Sequence, residues 1–123
     1  MILVDTSVWV DHLRRGDTQL VALLESAVVL AHPFVIGEIA CGSLADRATV
    51  IELLTDLPAA PLADVGEVLA FVERQRLFGK GIGYVDVHLL ASVVLSGSSL
   101  WTRDKRLRAA AQGLGVEFQP TAH

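Results

Sequence analysis

Four acids stand out for the company they keep. Asp5 directly follows the apolar run Ile2-Leu3-Val4 and precedes two hydroxyl residues, Thr6 and Ser7. Glu38 lies within an otherwise apolar turn, Val35-Ile36-Gly37-Glu38-Ile39-Ala40. Asp86 follows a glycine-rich loop, and Asp104 follows Trp101-Thr102-Arg103. A carboxylate is costly to bury unless it is paired or bound to a metal. At the carboxyl end of a strand in an open α/β sheet it faces the crevice where ligands bind. Brought together, such groups repel: at about 4 Å two unit charges cost roughly 4 kcal/mol at an effective dielectric of 20. Protons, cationic side chains or a metal must neutralise them. Oxygen-only ligands with no His or Cys beside them favour Mg²⁺ or Mn²⁺ over zinc. Such a cation makes a bound water more acidic and stabilises charge building on a phosphate. The chemistry that fits is phosphodiester hydrolysis by in-line attack, with Asp5, Glu38, Asp86 and Asp104 as ligands. The products of such an attack carry a 5′-phosphate and a 3′-hydroxyl.

The elements must place these acids. Ile2 to Val4 reads as a short buried strand, and Thr6 or Ser7 as the cap of a helix running to about Arg15 and ended by Gly16. Asp17 caps a second helix with Leu20, Leu23 and Leu24 on one face. Val28 to Ala31 is a second strand, and Pro33 suits the first turn of the helix that carries Glu38. Asp46 opens another helix, with Val50, Leu53 and Leu54 inward. Leu57 to Leu62, with its two prolines, is a short strand or an extended connection. Asp64 begins a long helix with Val65, Val68, Leu69 and Val72 at helical spacing. Gly79 to Gly83 is a loop, Tyr84 to Ser96 an apolar helix with Asp86 in its first turn, and Ser98 to Thr102 a strand. Lys105 to Gln112 is a basic helix stopped by Gly113, and Val116 to Phe118 the last strand. This alternation predicts a parallel sheet with right-handed crossovers. Asp5, Glu38 and Asp104 then share the carboxyl edge. Asp86 joins them only if the loop before it crosses back to that edge.

A chain of 123 residues is read as a single domain, 1–123, able to bury its own core. Its apolar fraction is 52% without glycine, against about 45–50% with glycine in ordinary proteins. That excess predicts an apolar surface covered by a partner or a second copy. The formal charge of −4 does not advertise a nucleic-acid binder. Without the four acids, however, ten of the fourteen acidic residues remain, against ten lysines and arginines. A single cysteine, Cys41, excludes an internal disulfide and a cysteine-based zinc site, and fits a reducing cytoplasm. The N-terminal apolar run stops at Asp5, so no signal peptide is read, and no stretch is long enough to span a bilayer.

The segments MILVDTSVWVDHL, IGEIACG, GYVDVHLLAS and LWTRDKRL, in this order and spacing from residue 1 to residue 108, strongly resemble the PIN-domain nucleases. Within them they resemble the VapC toxins of toxin–antitoxin pairs. The resemblance implies a three-layer α/β/α sandwich with a parallel sheet. It also implies a Mg²⁺- or Mn²⁺-dependent endoribonuclease acting on tRNA or a ribosomal RNA loop. Asp5, Glu38 and Asp86 match the family's principal metal-binding acids, and Asp104 the more variable fourth. Thr102, with Thr6 or Ser7, matches hydroxyl positions that place water or substrate. A VapB-type antitoxin that blocks the site and a toxin homodimer are implied as well.

Each feature has a plainer reading. Asp5 and Asp104 could cap helices, Glu38 could sit on a solvated face, and Asp86 could simply favour the positive end of its helix. Arg103, Lys105, Arg106 and Arg108 could contact phosphates or form a solvated basic face. The Gly79-Lys80-Gly81 stretch lacks P-loop spacing and reads as a mobile loop near the substrate. His12, His32, His88 and His123 share no ligand spacing and read as structural or surface groups. Cys41 reads as a small buried residue, and Trp9 as core or interface. A receiver-like signalling domain would want an acidic pair after the first strand and an Asp after a central one. Here Thr6 follows Asp5, and Leu57 to Leu62 holds no Asp. A PIN scaffold kept only for binding is disfavoured by the intact acids.

Overall fold

The computed structural model describes residues 1–121; His123 lies outside the described residues. Strand β1 (Ile2–Val4) is the centre of a parallel sheet, between β2 (Val29–Leu30) and β3 (Ser99–Trp101). Leu3 is in register with Leu30 on one side and Leu100 on the other. All three are buried. Strands covered on both faces need continuous apolar runs rather than alternation, and Ile2-Leu3-Val4 is such a run. Single parallel bridges widen the sheet on each side, Ala31 to Ala59 and Leu100 to Glu117. The two prolines explain why Leu57 to Leu62 is no longer strand. Neither Pro58 nor Pro61 can donate to a ladder, so pairing is limited to Ala31 N–H with the Pro58 carbonyl and Ala60 N–H with the Ala31 carbonyl. The expected strand Val116 to Phe118 likewise shrinks to one bridge at Glu117.

Among the described residues there are seven helices: α1 (Thr6–Arg15), α2 (Thr18–Glu25), α3 (Pro33–Ala40), α4 (Arg47–Asp56), α5 (Val65–Gln75), α6 (Tyr84–Ser96) and α7 (Lys105–Gly113). Helices α1, α3 and α4 pack in series, while α5 packs on α6. This is the expected α/β architecture. Helix α6 is its central support. Val87 through Val93 are buried without a break, as befits a helix apolar all round. Shortening Leu89 or Leu90 to Ala there should cost ~2–5 kcal/mol.

Some local expectations change. The cap of α1 is Asp5 itself, not Thr6 or Ser7. Asp46 precedes α4 in a left-handed conformation and makes no side-chain cap. Leu53, Val65 and Leu69 face solvent at 63%, 61% and 55% exposure. Helix α5 instead turns Val68 and Phe71 inward. Cys41 is exposed rather than buried. Trp9 is core, 5% exposed. No helix among the described residues is long and apolar enough to cross a membrane.

The connections decide where the acids go. Only Gly97 and Ser98 separate α6 from β3. Gly97 closes the helix at φ 64°, a left-handed turn that glycine adopts without strain. Because β3 runs parallel to β1, the end of α6 lies at the amino edge of the sheet. Its first turn, which carries Asp86, therefore lies about 20 Å away toward the carboxyl edge.

Candidate active site

Asp5 extends the central ladder by one residue, its N–H donating to the Trp101 carbonyl at 2.9 Å. Its side chain is 7% exposed and is held by three donors. Oδ1 accepts from Thr6 N–H at 2.8 Å, and Oδ2 accepts from Thr102 Oγ1 at 2.7 Å and Ser7 Oγ at 3.0 Å. Each hydroxyl is used twice. Thr102 Oγ1 accepts from Asp104 N–H at 3.1 Å, and Ser7 Oγ from Arg103 N–H at 3.0 Å. The hydroxyls expected to place water or substrate are thus committed to the carboxylates. Thr6 follows the same rule, its Oγ1 donating to Glu38 Oε1 at 2.8 Å.

Asp86 and Asp104 arrive on helix starts, where exposed N–H groups favour negative charge, while Glu38 comes from the last turn of α3. Asp104 caps α7, with Oδ1 accepting from Leu107 N–H at 2.9 Å. Asp86 folds back onto Gly83 N–H, with Oδ2 accepting at 3.0 Å. Burial pushes the Asp86 carboxyl above its ordinary value. The Gly83 bond opposes that shift, and the charges of Asp5, Asp104 and Glu38 add to it. Asp86 therefore feels the other three acids through space, although 33 to 99 positions of sequence separate Glu38, Asp86 and Asp104 from Asp5. Among the described residues, no three His, Cys, Asp or Glu side chains close into a ready metal cage. Each acid has an oxygen tied to a protein donor. The donor set remains all carboxylate oxygen, which suits a hard divalent cation.

Helix α3, which carries Glu38, is fastened to α6, which carries Asp86. His32 is fully buried and caps α3, its Nδ1 accepting from Phe34 N–H at 3.1 Å. That bond leaves Nε2–H to donate to Ser92 Oγ, 3.1 Å away. Burial, with the charge of His88 adding, depresses the His32 pKa to about 4. Burial also lowers that of His88, which packs edge-on between Phe34 and Tyr84. Both imidazoles are structural, as their spacing implied.

The basic run divides. Arg103 is not free for a phosphate, because its guanidinium is forked between Asp11 and Asp17. Burial opposes its charge, but those hydrogen bonds and charges hold its pKa above the usual value. Burial likewise raises the Asp17 carboxyl, yet the Leu20 N–H and Arg103 outweigh it and keep it low. Arg108 Nε lies 3.8 Å from Glu117. Arg106 instead lies flat on Gly81, where an added Cβ would come within 2.5 Å of its guanidinium. An open cleft of about 590 Å³, lined by Val10, Leu13, Arg14, Leu44 and Val50, ends at Glu38.

The family model for the PIN domain matches residues 2–113. Ribonuclease VapC32 of Mycobacterium tuberculosis, from strains CDC 1551 / Oshkosh and ATCC 25618 / H37Rv, is 52% identical over 117 residues, covering 94% of both chains. Two solved structures share the fold at 23% identity. One is a structure of FitAB bound to an IR36 DNA fragment, with TM-score 0.64 and 91% of both chains covered. The other is FitAcB from Neisseria gonorrhoeae, with TM-score 0.62, covering 91% of this chain and 94% of that one.

Proposed function

The chain belongs to the PIN-domain family, and on that premise we propose that it is the endoribonuclease toxin of a type II toxin–antitoxin pair. In this reading it hydrolyses RNA phosphodiesters at Asp5, Glu38, Asp86 and Asp104. The observation that carries the reading is convergence: Asp86 lies near enough to Asp5, Asp104 and Glu38 for the charge of each to push its carboxyl up. Helix capping accounts for Asp5, Asp86 and Asp104 but not for Glu38, whose charge also reaches Asp86.

The reaction is metal-dependent, and the four carboxylates would hold the ion, Mg²⁺ or Mn²⁺. When bound, the cation supplies Lewis acidity and counter-charge toward a phosphodiester. The chain's own residues do the rest. Thr102 and Ser7 hold Asp5 Oδ2, Thr6 holds Glu38, and Gly83 N–H holds Asp86. These bonds set which oxygens face the crevice. Arg106, pressed on Gly81 two residues before the turn that holds Asp86, is placed to meet an RNA phosphate at the rim. The name of the relative and the FitAB likeness support an antitoxin partner. The cleft beside Glu38 offers that partner a seat from which to block the site. A homodimer fits the exposed Leu62, Val65, Leu69 and Leu95, and a cytoplasmic setting fits the lone free cysteine.

The test is RNA cleavage by purified protein with Mg²⁺ or Mn²⁺, followed by end-group mapping. The expected ends are a 5′-phosphate and a 3′-hydroxyl; a 2′,3′-cyclic phosphate counts against the site. Asp5→Asn keeps the volume and loses the charge, and it should abolish cutting. RNA bound but never cut by the wild-type protein would make this a binding scaffold instead.

A further inference from the structure

We infer that Arg103 is a positioning residue for the acid cluster, acting through the loop on which Thr102 and Asp104 sit. This rests on the ribonuclease reading above. Arg103 lies between two expected site residues, yet its side chain turns away from them. One guanidinium nitrogen donates to Asp11 on α1, and the other donates to Asp17 Oδ2 at 2.6 Å. Asp17 is itself fixed, since its Oδ1 caps α2 by accepting from Leu20 N–H at 2.9 Å. The Arg103 Cζ lies 5.7 Å from the Trp101 ring centroid, and its backbone N–H reaches Ser7 Oγ. The β3–α7 loop is thus pinned to α1 and α2 by a planar fork and a main-chain bond. The same loop supplies Thr102 Oγ1 to Asp5 and the Asp104 carboxylate to the cluster.

A fork that spans two carboxylates fixes orientation as well as distance. Lysine keeps the charge but, as a point charge, cannot span both acids. A decorative surface ion pair, by contrast, does almost nothing.

The experiment compares wild type with Arg103→Met, Arg103→Lys and the double variant Asp11→Asn/Asp17→Asn. Three quantities are read: Mn²⁺ affinity of the RNA-free protein by electron paramagnetic resonance, kcat and KM on a cleavable RNA, and thermal unfolding. Loss of a group that orients ligands costs ~10–100-fold in metal affinity or activity. Arg103→Met should show that loss in Mn²⁺ affinity and kcat with little change in KM. Arg103→Lys should fall between it and wild type. The double variant should match Arg103→Met, and combining all three changes should add nothing, because one clamp is broken from either side. A higher KM with unchanged kcat and Mn²⁺ affinity would overturn the inference and make Arg103 a phosphate contact. A lower melting temperature with wild-type kcat and Mn²⁺ affinity would reduce it to scaffolding. Wild-type protein that neither binds Mn²⁺ nor cuts RNA would defeat the ribonuclease reading itself, a result distinct from an active wild type with an indifferent Arg103→Met.

Discussion

Thr102 Oγ1 donates to Asp5 Oδ2 at 2.7 Å across 97 residues of sequence. The bond joins the ends of two adjacent parallel strands, β1 and β3, and both of its residues are buried. Because the same oxygen accepts from Asp104 N–H, one hydroxyl sets the posture of two acids. Thr102→Val keeps the shape and removes both bonds. It should cost about 1–3 kcal/mol in stability by stripping a buried carboxylate of a donor, and ~10–100-fold in cleavage rate. Thr102→Ser should retain most of both. Unfolding curves and single-turnover cleavage would check this, and an active Thr102→Val would show that Asp5 needs no such support.

Asp86 should trade stability for function. Burial and three neighbouring carboxylates raise its folded pKa. Its contribution to stability is therefore present below the unfolded value and is lost as pH rises. At neutral pH its charge works against the fold. Asp86→Asn still offers an oxygen to Gly83 N–H, so it should raise the melting temperature of the metal-free protein. It should also abolish cleavage and remove the further rise that Mn²⁺ gives the wild type. A lower melting temperature, or an undiminished response to Mn²⁺, would remove Asp86 from the cluster.

How far the sequence foretold this site can be argued residue by residue. Asp5 was legible because an acid directly after a buried run must lie at a strand end. Asp104, three residues past the end of β3, was legible as a group in the loop that follows a strand, and its capping role is also real. The place of Asp86 depended on which way its helix runs, which only pairing with β1 could decide. The hydroxyls were found but their protein partners were not, since spacing does not tell that Thr102 reaches Asp5. Arg103 was misread for a related reason. Its acids, 86 and 92 residues distant, carry no local signal, and a basic run looks the same whether its charges are paired or free. The exposed faces of α4 and α5 failed because several apolar stripes compete on one helix, and only packing chooses among them.

Arg106 should be the arginine that meets substrate. It rests on Gly81, whose φ of 75° and close contact both require glycine. Arg106→Ala should raise KM several-fold and lower the salt slope of RNA binding by about 1, as expected for one lost phosphate contact. Gly81→Ala should displace the same side chain and act in the same direction. Binding measured across a salt series would check both. An unchanged slope would place Arg106 off the RNA path.

His32 predicts an acid-sensitive join between the helices that carry Glu38 and Asp86. Its folded pKa is about 4, against an ordinary 6.5. Between those values the unfolded chain takes up a proton that the folded protein refuses. Stability should therefore be full above pH 6.5 and be lost as pH falls toward and through 4. At about 1.4 kcal/mol per unit, the loss is at most roughly 3 kcal/mol. His88 is depressed by burial in the same direction, so the comparison must isolate one ring. His32→Asn can still cap α3 through its amide oxygen but cannot take a proton. Its melting temperature should start lower at pH 7 and then fall less steeply than that of the wild type between pH 6.5 and 4. Parallel curves across that window would mean that the join to Ser92 survives protonation, and that acid reaches the fold elsewhere.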